Sequence, residues 1–271
     1  MNTCLILDMS VRDAVICIDQ VCRLTRKLLS SGSGIDLKVT SDVLVEYYRE
    51  LNSFATIEVI DPASVSLTHS ILSALYQGRI LRISNKSIDR TNDIGAEYAR
   101  FMGVEYDPEP TLPLTGSTPR SAICKAMLCD GSYSGTCAFV NPPSSEADFE
   151  SFNELTLGLR ASMPLIAVSG MNLQYENTHS EFIHFVNGGF LSVLSAMTLC
   201  HCYLGHESWL SHLFYYLKRP TVVIFDDNDD KVYRRWFPNV TYYSNTERIF
   251  YQDVAAKLLA SFRRKNKSAG D

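Results

Sequence analysis

The chain has 271 residues, 46% of them hydrophobic and 20% charged, with a net charge of −5. Such a length holds one large α/β domain or two of about 130 residues each, and the composition excludes disordered and collagen-like chains. A mildly acidic body lacks the basic footprint of a dedicated nucleic-acid binder.

The chain opens Met1-Asn2-Thr3-Cys4-Leu5-Ile6-Leu7-Asp8, with no basic region and an apolar run that stops at Asp8. A secretory signal needs a basic start and a longer apolar core, so none is expected. The same run predicts a first strand over residues 3–7. Further β-branched and aliphatic runs predict strands over 35–39, 56–60 and 80–83, with helical patterns between them over 14–29, 42–51, 65–76 and 92–101. In 14–29 the apolar Ile16, Ile18, Val21, Leu24, Leu28 and Leu29 recur mainly at three- and four-residue steps, the period of one helix face. Short apolar runs alternating with helices are the mark of βαβ units and a parallel sheet.

The composition then changes. Pro108, Pro110, Pro113, Gly116 and Pro119 follow closely, and Gly131 and Gly135 come shortly after. Proline and glycine stop both helix and sheet, so 1–115 reads as one domain, 116–135 as a linker and 136–271 as a second domain. The second series has strands over 137–140, 165–168, 184–186, 202–204, 222–225 and 240–243. Its helices are expected over 146–160, 190–200, 208–217 and 248–264. The predicted fold is α/β, with two Rossmann-like, doubly wound parallel-sheet domains facing a cleft. Ligands of such sheets bind at the carboxyl ends of the strands.

Residues 182–206 carry no Asp, Glu, Lys or Arg, but they include His184, Asn187, three glycines and His201, too polar a set to span a bilayer. Several of the eight cysteines lie in apolar runs, where a reduced thiol behaves as a small hydrophobe. A chain this long needs no disulfide frame, which points to a reducing, cytoplasmic setting. Cys200 and Cys202 alternate, so a regular strand would put both sulfurs on one face. No second pair stands at zinc-finger spacing.

The segment Cys200-His201-Cys202-Tyr203-Leu204-Gly205-His206-Glu207-Ser208-Trp209-Leu210-Ser211-His212-Leu213, followed by Pro220-Thr221-Val222-Val223-Ile224-Phe225, carries the strongest signal. It reads as strand, glycine turn, helix, proline, strand. Glu207 and Ser208 fall where a strand ends and a helix begins, and free amides at a helix start attract phosphate. A carboxylate there accepts hydrogen bonds from a ribose diol. His212, four residues after Ser208, shares its helix face and could help hold a diphosphate. A plain capped helix, with Ser208 as cap and His212 as a core histidine, accounts for the same residues. Asp13 also reads two ways: as the cap of a helix from residue 14, or as a general base. The acidic run Asp226-Asp227-Asn228-Asp229-Asp230 lacks the glycine and the glutamate of a calcium loop and reads as solvated.

These residues resemble the family 9 glycosyltransferases, the ADP-heptose heptosyltransferases of lipopolysaccharide synthesis. Gly205, Ser208, Leu210, His212, Leu213, Pro220, Thr221, Val222 and Phe225 match the family's donor signature in register. Glu207 stands for its Asp, Trp209 for a Gly, and Asp226 for the Gly after the last strand. Gly188-Gly189-Phe190-Leu191-Ser192-Val193-Leu194 is similar to the family's lead-in to this block. At the N-terminus Asp13 falls at the position of the family's base, and Arg12 at the glycine before it. The family's phosphate-binding Lys has no counterpart in Asn141-Pro142-Pro143-Ser144-Ser145-Glu146.

The resemblance implies a GT-B-like glycosyltransferase that moves a sugar from a nucleotide-sugar donor to a saccharide or other hydroxyl-bearing acceptor. The nucleotide-sugar is a substrate, and no cofactor or metal is expected. The donor would rest on Glu207, Ser208, Trp209 and His212, with Ser169, Gly170 and Met171 bordering the base. Asp13 would be the base and Arg12 a substrate contact. Two other readings stay open. One is a non-catalytic nucleotide- or sugar-binding module of the same fold. The other is a transferase acting on protein or nucleic acid, prompted by the basic Arg263, Arg264, Lys265 and Lys267, although the acidic body does not favour nucleic acid.

Overall fold

The computed structural model describes residues 2–77, 79–89, 92–112, 137–143, 149–161, 163–181, 183–225 and 241–244, together with Val254 and Leu258. The chain divides into two compact units, Met1–Thr118 and Pro119–Asp271. The predicted linker at 116–135 and nearly all of the predicted helix at 248–264 lie outside the described residues.

Unit 1 contains β1 (Asn2–Asp8), α1 (Val11–Ile16), α2 (Ile18–Ser30), β2 (Gly34–Val39), α3 (Val45–Glu50), β3 (Thr56–Val59), α4 (Val65–Leu75), β4 (Ile80–Ser84) and α5 (Ile94–Met102). Its four strands are parallel, in the order β3-β2-β1-β4. The pattern read over 14–29 is two helices rather than one. Ser10 caps α1 through a bond from the Asp13 amide, and the first helix gives way to the second at Cys17. The helix therefore starts before residue 14, and Asp13 is not its cap.

The chain of unit 1 moves outward from β1 to β2 and β3, then returns to the other side of β1 as β4. This reversal makes the gap between β1 and β4 the switch point of the sheet. Cys4 and Ile6 pack against Val65 and Leu72 of α4. Ile60, Tyr76 and Ile80 join them, and polar residues of β2 and β3 flank the cluster. Buried Asp36 accepts hydrogen bonds from Asn2, Thr56 and Tyr76 at 2.9, 2.7 and 3.0 Å. Burial alone would push its carboxyl up, but these three donors outweigh it and hold the group below the usual carboxylate range.

Unit 2 contains β5 (Cys137–Asn141), α6 (Phe149–Arg160), β6 (Leu165–Val168), α7 (Leu173–His179), β7 (Ile183–Val186), α8 (Phe190–Leu199), β8 (Cys200–His206), α9 (Trp209–Tyr216), β9 (Thr221–Phe225) and β10 (Thr241–Ser244). Its six strands are also parallel, in the order β10-β9-β8-β5-β6-β7. The reversal here falls between β5 and β8. One side of the sheet buries Ala138, Val140, Cys202, Leu204, Val222 and Ile224 against Phe152, Leu155 and Leu159 of α6, with Val254 and Leu258 joining the same core. The opposite side stacks Phe139, Tyr203 and Phe214.

All ten predicted strands form. Helix α7, which Asn172 caps through the Tyr175 amide, has no counterpart in the sequence reading. β8 does not alternate regularly. Its register against β5 slips between Cys137 and Ala138, so that Cys137 faces Cys200 and Ala138 faces Cys202. His201 is the extra residue, which overturns the simple alternation expected for the two cysteines.

Candidate functional site

The switch point of unit 2 is built by close backbone approach. A Cβ on Gly205 would lie 2.3 Å from the Asn141 carbonyl oxygen, so only glycine lets β8 pass β5 at this level. Asn141, the last residue of β5, then reaches across the gap. Its Nδ2 donates to the His206 carbonyl at 3.0 Å and to Ser208 Oγ at 3.1 Å. The Tyr203 hydroxyl donates to the same carbonyl at 2.6 Å. The Glu207 amide continues the sheet by donating to Ile224 O at 2.8 Å. These bonds fix the three residues that follow the strand.

Ser208 caps α9, and a reciprocal box forms. The Leu210 amide donates to Ser208 Oγ at 3.2 Å, while the Ser208 amide donates to Ser211 Oγ at 3.3 Å. Two amides at the helix start are thus satisfied by the chain itself. His212 is fully buried, and its Nε2 meets Glu207 Oε1 at 2.7 Å. It therefore orients Glu207 from behind. Trp209, half-buried, stacks on Phe190 with ring centroids 5.8 Å apart, bringing the start of α8 beside the start of α9. The α8 start differs from that of α9: its cap is Gly189, with no side-chain bond. Gly188 before it has φ 124°, a conformation that suits only glycine.

The Ser169–Met171 loop follows β6. Ser169 Oγ and the Gly170 amide both donate to the Glu176 carboxylate, at 2.6 and 2.8 Å. Those donors hold Glu176 below the usual carboxylate range. Met171 is exposed. Sequence reasoning found the loop but missed Glu176, because the helix that carries it was not predicted. It also missed the roles of Asn141 and Ser211. The signal for Asn141 was an Asn-Pro pair ending an apolar run. The signal for Ser211 was its place three residues after Ser208.

In unit 1, Asp13 lies at the carboxyl end of β1, beside the switch point. It is 1% exposed. Ser10 Oγ donates to its Oδ2 at 2.7 Å and the Tyr98 hydroxyl to its Oδ1 at 3.1 Å. Arg12, half-buried, precedes it in the first turn of α1. Arg82 of β4 binds Asp8 across the same gap, with Nε at 3.2 Å.

The sites read from sequence therefore gather in two groups, Asp13 with Arg12 in unit 1 and Glu207, Ser208, Trp209 and His212 in unit 2, with the 169–171 loop two strands from β8. The acidic run at 226–230 lies outside the described residues. Among the described residues no group of three metal-ligating side chains forms, and no helix is long and apolar enough to cross a membrane.

No family model and no curated protein matches the chain. Solved structures do. The chain is similar to the E. coli ADP-heptose lipopolysaccharide heptosyltransferase II, with a TM-score of 0.68 at 11% identity, over 98% of this chain and 100% of that one. It is similar to a family 9 glycosyl transferase from Veillonella parvula, with a TM-score of 0.64 at 12% identity, over 89% and 86% of the two chains. It is also similar to E. coli heptosyltransferase WaaC solved with ADP, with a TM-score of 0.58 at 11% identity, over 98% of each chain. The resemblance carried by the 205–225 block thus holds across the whole architecture. The fold is that of the GT-B glycosyltransferases, two parallel-sheet α/β units.

Proposed function

We propose that the protein is a glycosyltransferase that moves a sugar from a nucleotide-sugar donor to an acceptor hydroxyl, in the manner of a heptosyltransferase. One observation carries this reading. The 205–212 block, picked from sequence for its likeness to a donor signature, sits at the β5–β8 reversal, where doubly wound sheets bind nucleotides. Fold alone does not assign function; the fold likeness to heptosyltransferases adds to the motif's placement.

Donor binding is assigned to unit 2. Glu207, oriented by His212, accepts from the ribose hydroxyls. Trp209 and the uncapped Gly188–Gly189 start of α8 border the diphosphate, whose charge backbone amides offset without an obligatory metal. Ser169, Gly170 and Met171 border the base. Proton acceptance is assigned to Asp13 of unit 1, with Arg12 on the acceptor. Ser10 and Tyr98 fix the carboxylate, and Tyr98 must yield its place on Oδ1 before a substrate hydroxyl can donate there. We place the reaction in the cytoplasm.

A binding module without turnover is the second reading, and the closure of Asp13 by two hydroxyl donors favours it. A thermal-shift panel of nucleoside diphosphates and nucleotide-sugars, followed by product mass for each hit over a broad acceptor panel, tests both. A shift with transferred sugar supports the enzyme. A shift without transfer or hydrolysis supports the module. No shift from any nucleotide removes both.

A further inference from the structure

At the amino-terminal end of the sheet in unit 2, opposite Glu207, lies a group of side chains that donor binding does not use. Cys137 opens β5, Cys200 opens β8, and the two are direct partners in the parallel ladder. Neighbouring strands run about 4.8 Å apart, and disulfides span Cα separations of about 4.4–6.8 Å. The register slip just after Cys137 is of the kind that re-aims side chains. The two thiols are close enough to influence each other's ionisation. Each also reaches a helix-end carbonyl, Cys137 Sγ that of Leu199 at 3.5 Å and Cys200 Sγ that of Ala196 at 3.4 Å.

Arg219 completes the group. It is half-buried, its Nη1 donates to the Cys200 carbonyl, and the titratable groups acting on it among the described residues are these two sulfurs. A guanidinium in that position stabilises a thiolate. Cys137 is held below the ordinary cysteine range, because its interaction with the neighbouring Cys200 sulfur outweighs the cost of burial and Arg219 adds to it. Burial pushes Cys200 well up, and Cys4 to about 11 and Cys22 and Cys202 to about 12. Cys137, the less buried of the two and in reach of Arg219, is therefore the thiol that meets an oxidant first.

We propose that Cys137 and Cys200 form a redox modification site that hydrogen peroxide converts to a disulfide. The Cys137 thiolate attacks one peroxide oxygen, and the O–O bond breaks. Cys137 becomes a sulfenic acid, and the departing hydroxide takes up the proton that the thiol had released. The Cys200 sulfur then attacks the Cys137 sulfur, the S–O bond breaks, and the leaving hydroxide takes the Cys200 proton. Two thiols give up two electrons to the peroxide, and two waters form. A dithiol reductant restores both thiols by exchange. Peroxide suits the burial, since Cys137 is 4% exposed and Cys200 not at all, which keeps a bulky disulfide oxidant out. The cross-link would join the first residues of the two strands that end at Asn141 and His206.

The test treats the folded protein with hydrogen peroxide near neutral pH, alkylates remaining thiols in urea, digests without reductant and sequences the peptides by tandem mass spectrometry. The expected product is a Cys137–Cys200 cross-link that dithiothreitol removes. Cys200→Ser should stop the reaction at a Cys137 sulfenic acid that dimedone captures, and Cys202→Ser should leave the cross-link in place. Arg219→Gln should slow Cys137 oxidation severalfold, because the thiolate loses its neighbouring cation. Recovery of both cysteines alkylated, at peroxide doses that oxidise a free thiol, would overturn the proposal. So would a cross-link between another pair, or an Arg219→Gln protein that reacts as fast as wild type.

Discussion

Asp13 in unit 1 and Glu207 in unit 2 occupy equivalent places. Each follows a central strand, stands at the start of a helix and borders the point where its sheet reverses. Their surroundings differ. Asp13 is closed over, with a hydroxyl donor on each oxygen and 1% of its surface exposed. Glu207 is held from behind by one buried histidine. A carboxylate fixed by two hydroxyl donors is shaped for a precise orientation and gives up contact with solvent. Glu207 is braced from the protein side by an imidazole, with 7% of its side chain exposed. Both acids are thus buried and bonded, and they differ in the groups that fix them, two hydroxyls for Asp13 and an imidazole for Glu207.

The largest expected effect breaks the comparison on the unit 1 side. Asp13→Asn keeps the Tyr98 hydroxyl bonded to an amide oxygen, and the cap on α1 is made by Ser10, so the fold should hold. If Asp13 is the base, turnover falls about 10²–10⁴-fold while donor affinity stays near wild type. Wild-type turnover in the variant would remove Asp13 from the chemistry. Next comes Gly205→Ala on the unit 2 side. The added Cβ meets the Asn141 backbone at 2.3 Å, and β5 and β8 must part to admit it. A loss of about 3 kcal/mol in urea unfolding is expected, and an unchanged midpoint would show that the strands yield freely.

The sequence made the strands legible because β1, β5, β6, β8 and β9 are short, mainly apolar runs of the kind a parallel sheet buries on both faces, while β2 and β3 alternate apolar residues with Asp36, Lys38 and Glu58. It located the strand–helix junctions at Asp13 and Glu207 because turn residues and capping hydroxyls punctuate them. What it hid was pairing at a distance. Tyr98 is 85 residues from Asp13, and Asn141 is 67 from Ser208; no local period announces either. Helix α7 was missed because its seven residues carry too little apolar repeat, and Glu176 was lost with it. The one-residue slip in β8 was hidden too, because Cys200-His201-Cys202 satisfies the alternation rule that the bulge breaks.

Two changes of middle size sharpen the contrast between the acids. Glu207→Ala leaves the buried His212 without its carboxylate, which should cost about 1–3 kcal/mol of stability. Glu207→Gln keeps an oxygen at that place and should melt close to wild type. If Glu207 contacts the donor, both variants weaken nucleotide-sugar binding by calorimetry; equal binding in Glu207→Gln and wild type would confine Glu207 to holding the fold. Tyr98→Phe removes one donor from Asp13 and should cost about 1 kcal/mol, read as a lowered denaturation midpoint. No change there would mean that the Tyr98 bond contributes nothing to holding Asp13.

The smallest effect concerns a third carboxylate, Glu176, which resembles Asp13 in taking two donors but is half-buried. Ser169 and, after it, the Gly170 amide lower its pKa from the ordinary 4.5. A depressed pKa means that the folded loop favours the charged form. The tie is complete above the ordinary carboxylate range and is released as pH falls through the lowered value. Partial exposure to water leaves little of this in global stability, so the readout is local. The Gly170 amide proton, followed by NMR from neutral to acid pH, should shift with a midpoint below 4.5, and Glu176→Gln should abolish the transition. A midpoint at or above 4.5 would mean that the Ser169 and Gly170 bonds do not form in solution. The 169–171 loop would then be free of Glu176, and its amides open to a donor base at every pH.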